Sequence, residues 1–222
     1  MVKFYVLMAA TLILKSYPGP CGFGGKGAMN IYLQFIIAGL VAYLIGSFPT
    51  GVVVSKLTGG PDVRYHGSGH IGGANTMRLI GTTAGATVTV IDGLKGLFAW
   101  AVTYTIMLGS PWALPVAGVM AVMGHGWPIY TRFHGGMGLA TGGGLMLIVS
   151  PLTIAIAVPV WAICFIGIYK KKYSPRCVTI TLPIAVVLTL FFFSPAVEVQ
   201  WLLILVTFIL VIRHLPEWNR VE

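Results

Sequence analysis

Seven apolar runs, punctuated by glycine, proline and basic clusters, leave this chain few ways to fold. They cover residues 31–54, 84–108, 112–130, 138–150, 152–169, 178–193 and 197–212. Several approach the roughly 20 residues a helix needs to cross the hydrocarbon core of a bilayer. Only 9% of the 222 residues are charged, where a soluble domain carries about a quarter. The expected fold is all-α: a polytopic membrane protein of about seven transmembrane helices, some short or broken by Pro and Gly. The run 138–150 is glycine-rich and followed by Pro151, so it reads as either a short span or a re-entrant element packed against protein.

Charge placement supports that map. The loop after the first run holds Lys56, Asp62, Arg64 and Arg78, and the loop after the third holds Arg132. The loop after the fifth holds Lys170, Lys171, Lys172 and Arg176, and the tail holds Arg213 and Arg220. The loops near Gly109, Pro151 and Pro195 hold no Lys or Arg. Basic residues gather in cytoplasmic loops. The asymmetry therefore places the first group and the C-terminal tail in the cytoplasm, with residue 31 outside and an odd number of spans. It also accounts for the formal net charge of +9. No basic patch with interleaved aromatics appears, so nucleic acid is not an expected partner.

Residues 31–222 read as a single membrane domain, and 1–30 as an N-terminal extension. Phe4–Leu14 resembles a signal-peptide core, residues 15–28 are Gly- and Pro-rich, and Met29 is an alternative start. Gly24-Gly25-Lys26-Gly27 looks like a phosphate loop, but the topology puts it on the outer face, and we read it as coincidence. Cys21 follows a short apolar stretch, yet the preceding Tyr-Pro-Gly-Pro fits a lipid-attachment site poorly. Cys21, Cys164 and Cys177 lack metal-ligand spacing, and Cys164 reads as a small buried hydrophobe.

The strongly polar constellations fall on the inferred cytoplasmic side. Residues 68–78 read Ser-Gly-His-Ile-Gly-Gly-Ala-Asn-Thr-Met-Arg. Glycines let backbone N–H groups approach a ligand, Ser68, Asn75 and Arg78 add donors, and a helix-like run follows from Asn75; such a loop suits an oxyanion. Gly46-Ser47-Phe48-Pro49-Thr50-Gly51 breaks the first run, as a plain kink or as an opening for a groove. Asp62 and Arg64 have the spacing of a loop ion pair. Asp92 and Lys95 stand three apart inside an apolar run, on one helical face; they are either a structural pair or part of a site. His125-Gly126-Trp127-Pro128 precedes a second glycine loop, Phe133-His134-Gly135-Gly136-Met137-Gly138-Leu139-Ala140-Thr141, which opens a helix whose N-terminus favours anions. Arg213-His214 and Arg220 form a basic tail that would meet anionic headgroups or join the loops in one anion pocket.

These segments together resemble the bacterial membrane glycerol-3-phosphate acyltransferases that use acyl phosphate as donor. The resemblance runs from about residue 31 to about residue 220. It rests on Gly-Ser-Phe-Pro-Thr-Gly at 46–51, Asp-Val-Arg at 62–64, Gly-Ser-Gly at 67–69, Asn-Thr-Met-Arg at 75–78 and Asp-Gly-Leu-Lys-Gly at 92–96. Further along, Gly-His-Gly-Trp-Pro at 124–128, Gly-Gly-Met-Gly-Leu-Ala-Thr at 135–141 and Arg-His at 213–214 match as well. It implies seven spans, cytoplasmic motifs and acyl transfer to the sn-1 hydroxyl of glycerol 3-phosphate, giving lysophosphatidic acid for phospholipid synthesis in the cell (inner) membrane. Acyl phosphate, glycerol 3-phosphate and membrane lipids are the implied partners, and no metal or soluble cofactor is implied. Ser68, Arg78 and His214 are the candidate catalytic residues. Ser68, Gly69, Asn75, Arg78, Gly135, Gly136, Thr141 and Arg213 are the candidate phosphate ligands, with Asp92, Lys95, His125 and Arg132 as candidate supporting groups.

The chain departs from the family pattern near the site. His134 and Met137 stand where the family usually has lysines, the second of them a phosphate ligand; His70 and Glu217 replace asparagines, and Tyr173-Ser174-Pro175-Arg176 aligns poorly with the family's Ser-containing motif. A carboxylate at 217 is expected to repel phosphate, and Arg132 or Arg176 is a candidate replacement cation. The alternative reading is a catalytically impaired relative, serving as a structural or lipid-binding subunit with protein partners in a larger membrane complex. A small transporter is a third reading, though no internal repeat supports it.

Overall fold

Asn30 starts the first helix by accepting the Tyr32 N–H on its side-chain oxygen at 2.8 Å. Residue 30 thus belongs with the helical domain rather than with the extension. The computed structural model describes residues 30–170 and 173–221. The signal-like stretch, Cys21, the Gly24–Gly27 loop, Lys171 and Lys172 lie outside the described residues.

Helix α1 spans Ile31–Gly46, and α2 continues it as Thr50–Leu57 after a break at Ser47, Phe48 and Pro49. Proline removes a donor and disfavours helix in the residue before it, which explains the break. A loop leads to the short α3, Gly73–Leu79, and then to the long α4, Thr82–Ile106. Next come α5, Ala113–Gly126, and α6, Leu139–Val149. Helix α7, Pro151–Ala162, runs on into a π-helical segment, Ile163–Ile168. Helices α8, Ser174–Phe193, and α9, Val197–His214, complete the bundle, followed by a 3₁₀ turn at Leu215–Glu217.

All seven expected apolar runs are helical. Among the described residues, five stretches are long and apolar enough to cross a membrane: Ile31–Leu57, Thr82–Ile106, Pro151–Ile168, Ser174–Phe193 and Val197–Glu217. The 14 residues of α5 reach about 21 Å at ~1.5 Å per residue. The 11 residues of α6 are shorter still, against a hydrocarbon core of ~30 Å. Large apolar side chains such as Ile36, Leu40, Leu94, Phe98, Phe191 and Phe208 face outward. Helices apolar on all sides, with such residues outside, are those of a multi-pass membrane protein.

Helix α1 packs against α5 and α4, α4 against α6, and α9 against α5 and α8, with α7 beside α8. Small residues carry the tightest crossing. A Cβ on Gly46 would overlap the Ala121 backbone, and one on Gly124 would overlap the carbonyl of Tyr43. Membrane helices lack a hydrophobic drive to associate and rely on such close approach. Toward α9 the core is larger, with Leu145, Met146, Leu202, Leu203, Val206 and Leu210 buried together. Cys164 and Cys177 are buried too.

Polar side chains stitch the bundle where the first span breaks. Thr50 donates to Asp92 Oδ1 at 2.8 Å, and Lys95 Nζ lies 2.8 Å from the same oxygen while donating to the Phe48 carbonyl at 3.2 Å. Asp92 and Lys95 are both buried, so the pair fastens α4 to the α1–α2 break. The C-terminal ends of α1, α5 and α9 and the N-terminal ends of α4, α6 and α8 share one end of the bundle with the α2–α3 loop. The connections at 107–112 and 194–196, at the opposite end, hold no Lys or Arg.

Candidate active site

The loop before α3 is organised by one buried side chain. Asn75 Nδ2 lies within reach of three backbone carbonyls, those of Val63 at 2.9 Å, His66 at 3.1 Å and His70 at 3.0 Å. Its Oδ1 accepts the Ser68 N–H at 2.9 Å. Gly67 passes over this amide with φ +61°, and a Cβ there would overlap Oδ1. Asn75, expected as a phosphate ligand, thus has its polar atoms committed to the loop backbone. Gly69 is engaged as well, its N–H donating to the His66 carbonyl at 3.1 Å. Asp62 and Arg64 form the expected loop pair at 2.6 Å, and that guanidinium holds the Asp62 carboxyl down to about 2.

The second glycine loop is tied from two sides. The Gly136 N–H donates to the His125 carbonyl at 3.0 Å. Arg213 donates from Nε to the Gly136 carbonyl at 3.1 Å and from Nη2 to the Gly135 carbonyl at 3.3 Å, with its guanidinium 5.8 Å from the centre of the Trp127 ring. A Cβ on Gly136 would collide with the His125 ring. Gly135, Gly136 and Arg213, expected to bind phosphate, therefore bind one another and fix the entry to α6.

Between these two loops lies a cavity of about 430 Å³. Ser68, Arg78 and His214, the three expected catalytic residues, all line it, and so do Asn75, Asp92 and His125. Gly69, Gly135, Gly136, Thr141, Arg213, Lys95 and Arg132 are not among its lining residues. Thr141 is buried instead beside Gly96. Arg132 is exposed in a left-handed turn, φ 52°, and does not bring a replacement charge to the cavity wall. Arg176 is likewise engaged elsewhere: its guanidinium stacks 4.1 Å from the Tyr173 ring centre and bonds the tail.

His214 Nδ1 sits 2.7 Å from the Leu210 carbonyl. A carbonyl only accepts, so Nδ1 carries the proton and Nε2 is the ring nitrogen left for the cavity. Asp92 Oδ2 and His125 Nδ1 are buried without a hydrogen-bond partner among the described residues. Such groups cost about 1–3 kcal/mol each when unpaired, and both residues face a cavity able to hold a hydroxyl-bearing molecule. Met137, Gly138, Leu139 and Ala140 bring the start of α6 to the wall, adding the positive end of a helix dipole.

Ser174, in the segment that aligns poorly, is not among the expected site residues, yet it lines the cavity at the start of α8. Arg220, read as part of a basic tail that meets headgroups or joins the loops in one anion pocket, reaches the same wall. Glu217, expected to repel phosphate, is not among the lining residues; its carboxylate turns to Arg220 at 3.4 Å and to His70 Nε2 at 3.6 Å. A second, apolar groove of about 180 Å³ runs between α6, α7, α8 and α9, with Met146, Val158, Trp161, Val178 and Leu182 in its wall. Leu139 borders both spaces.

Residues 36–221 match the family described as glycerol-3-phosphate acyltransferase. The chain belongs to that family. Glycerol-3-phosphate acyltransferase of Bacillus velezensis is 36% identical over 185 residues, 82% of this chain and 91% of the relative. That of Bacillus subtilis is 37% identical over 185 residues with the same coverage. Among solved structures, PlsY, an integral membrane glycerol 3-phosphate acyltransferase, matches in its glycerol 3-phosphate form with a TM-score of 0.69 and 31% identity. Its lysophosphatidic acid form matches with a TM-score of 0.69 and 29% identity. Both alignments cover 83% of this chain and 90% of that one. The family resemblance inferred from the motifs is thereby established, and these comparisons give no support to the impaired-subunit alternative.

His70, at the cavity wall, has a measurable effect on stability. Burial, and behind it the charge of Arg213, push its imidazole below the ordinary 6.5, against the pull of Glu217. The unfolded chain then binds the proton more readily than the folded one, so this contribution to stability is present above the unfolded pKa and fades as pH falls below it. The melting temperature of the wild type is expected to drop between about pH 7 and about pH 5 more steeply than that of a His70→Asn variant. Parallel melting curves across that window would contradict the assignment.

Proposed function

We propose that this chain transfers an acyl group from acyl phosphate to the sn-1 hydroxyl of glycerol 3-phosphate, releasing lysophosphatidic acid and inorganic phosphate. The observation that carries the reading is the convergence of Ser68, Arg78 and His214 on one cavity, with Leu139 bordering both that cavity and an apolar groove. A substrate with an ionic head and a hydrocarbon tail fits that junction, its phosphate among the polar groups and its chain in the groove. Relatives named glycerol-3-phosphate acyltransferase, 36% and 37% identical to this chain, support the assignment.

The chemistry follows from the residues. Ser68 Oγ and the Arg78 guanidinium hold phosphate oxygens. His214 Nε2 accepts a hydrogen bond from the neighbouring sn-2 hydroxyl and so holds the glycerol with its sn-1 oxygen aimed at the acyl carbon. The new ester C–O bond forms, the bond from acyl carbon to phosphate oxygen breaks, and the hydroxyl proton leaves on the departing phosphate. No protein base has to change its charge; the site contributes orientation and stabilisation of the phosphate charge. Asp92 and His125 line the same wall and border the space for the glycerol moiety.

Residues 31–222 form the domain that carries this activity. Lys56, Arg64, Arg78, Arg132, Lys170, Arg176, Arg213 and Arg220 lie at the cavity end of the bundle, which supports a cytoplasmic location for the site in the cell membrane. The direct test incubates the purified chain with acyl phosphate and glycerol 3-phosphate and follows phosphate release and lysophosphatidic acid together. Equal amounts of the two products are expected. Phosphate release without the lipid would reduce the activity to hydrolysis, and neither product would overturn the reading.

A further inference from the structure

Among the described residues the cavity wall carries two permanent cations, Arg78 from α3 and Arg220 from the tail beyond α9. They are far apart in the chain, on a helix near its first third and in its C-terminal tail. Across the same space stands Met137, an apolar residue with no charge to offer. Arg220 is held by Glu217, Nη1 donating to Oε2 at 3.4 Å; it also lies 3.3 Å from His70 Nδ1, whose own proton goes to the Ser68 carbonyl at 3.0 Å. The tail that delivers it is fastened farther back. Arg176 donates from Nε to the Trp218 carbonyl at 2.8 Å and from Nη2 to Asn219 Oδ1 at 2.6 Å. Its guanidinium lies between Tyr173 at 4.1 Å and Trp218 at 5.6 Å, with Tyr169 at 5.8 Å. Planar stacking combined with two directed hydrogen bonds is a task for arginine rather than lysine.

We propose that Arg220 is the second phosphate-gripping cation of this cavity, and that Arg176 is a positioning residue that clamps the tail so that Arg220 reaches the ligand. The inference rests on the acyltransferase reading and names the ligand class at that site, a phosphate monoester. Two guanidiniums in one cavity repel each other, and a dianion between them removes the repulsion. In keeping with this, burial and then the charge of Arg220 hold Arg78 below its ordinary pKa. Glu217 orients Arg220 from behind the wall, while His70 lines the cavity beside it.

The test measures binding and turnover separately, on the full chain in detergent micelles. Calorimetric titration with glycerol 3-phosphate is carried out on wild type, Arg220→Ala, Arg220→Lys, Arg176→Ala and the double variants Arg176→Ala/Arg220→Ala and Met137→Lys/Arg220→Ala. Arg220→Ala is expected to weaken binding by about ten- to a hundredfold, the range for one charge-assisted contact, and to raise KM more than it lowers kcat. Arg220→Lys retains most of the affinity. Arg176→Ala weakens binding less, and adds nothing when combined with Arg220→Ala, as residues acting in series do. Met137→Lys regains part of what Arg220→Ala loses, because it returns a cation to the same space. Thermal melts separate loss of binding from loss of fold. Wild-type affinity in Arg220→Ala, whatever its melting temperature, overturns the proposal. Binding that responds to Arg220 while the wild type transfers no acyl group leaves the proposal standing and removes the acyltransferase reading instead.

Discussion

Replacement of Arg78 by alanine is expected to lower kcat/KM for acyl transfer by on the order of a hundredfold or more. Its guanidinium lines the cavity together with the Ser68 hydroxyl and the His214 ring, and in the proposed reaction the leaving phosphate gains charge as the acyl bond breaks. A contact that strengthens in the transition state shows up in kcat as well as in KM. Arg78→Lys should fall between the two, since an ammonium supplies the charge but not the two-pronged geometry. Arg78 sits in the last turn of α3 and is exposed, so the melting temperature should change little. Steady-state kinetics with both substrates varied will check this. A change confined to KM would assign Arg78 to ground-state binding alone, and unaltered kcat/KM would remove it from the site.

Asn75→Ala is expected to damage both stability and activity. The substitution strips a buried amide that bonds the Val63, His66 and His70 carbonyls and the Ser68 N–H. Each buried group left without a partner costs about 1–3 kcal/mol, and the losses overlap because the loop can sag toward water. A net destabilisation of roughly 3 kcal/mol is anticipated. Activity falls further, since Ser68 loses the bond that fixes its backbone. Asn75→Asp keeps the acceptor for Ser68 but turns a donor into a buried charge facing three carbonyls, and should be worse than its size suggests. Thermal unfolding, with limited proteolysis of the α2–α3 loop, reads the structural effect. An Asn75→Ala protein with wild-type melting temperature and protease resistance would show that the loop is held by something else.

The one-dimensional pattern revealed the bundle because its causes are local. Apolar length, the Pro49 break and the one-sided basic loops each act within a few residues, and all appear where expected. The pairing of Asp92 with Lys95 is equally local, one helical turn apart. Much of the site depends on partners far along the chain. Arg213 looks like a phosphate ligand until the carbonyls of Gly135 and Gly136, more than 70 residues earlier, are seen to occupy it. Asn75 looks like a donor to an anion, yet its geometry is that of a loop organiser. Arg220 approaches His70 across 150 residues, a separation at which no spacing rule applies. Ser174 was obscured by an irregular stretch whose aromatic neighbours serve Arg176.

The fastening of Thr50 to Asp92 has a consequence for biogenesis. A nascent chain leaves the ribosome N-terminus first, and Thr50 must wait 42 residues for its carboxylate partner. The bend at Pro49 therefore cannot be locked until α4 has joined α1 in the bilayer. Asp92 and Lys95 arrive together, their charges already opposed within one turn, which lowers the barrier to lateral release of α4 into lipid. The first half of the bundle then matures as one insertion unit rather than helix by helix.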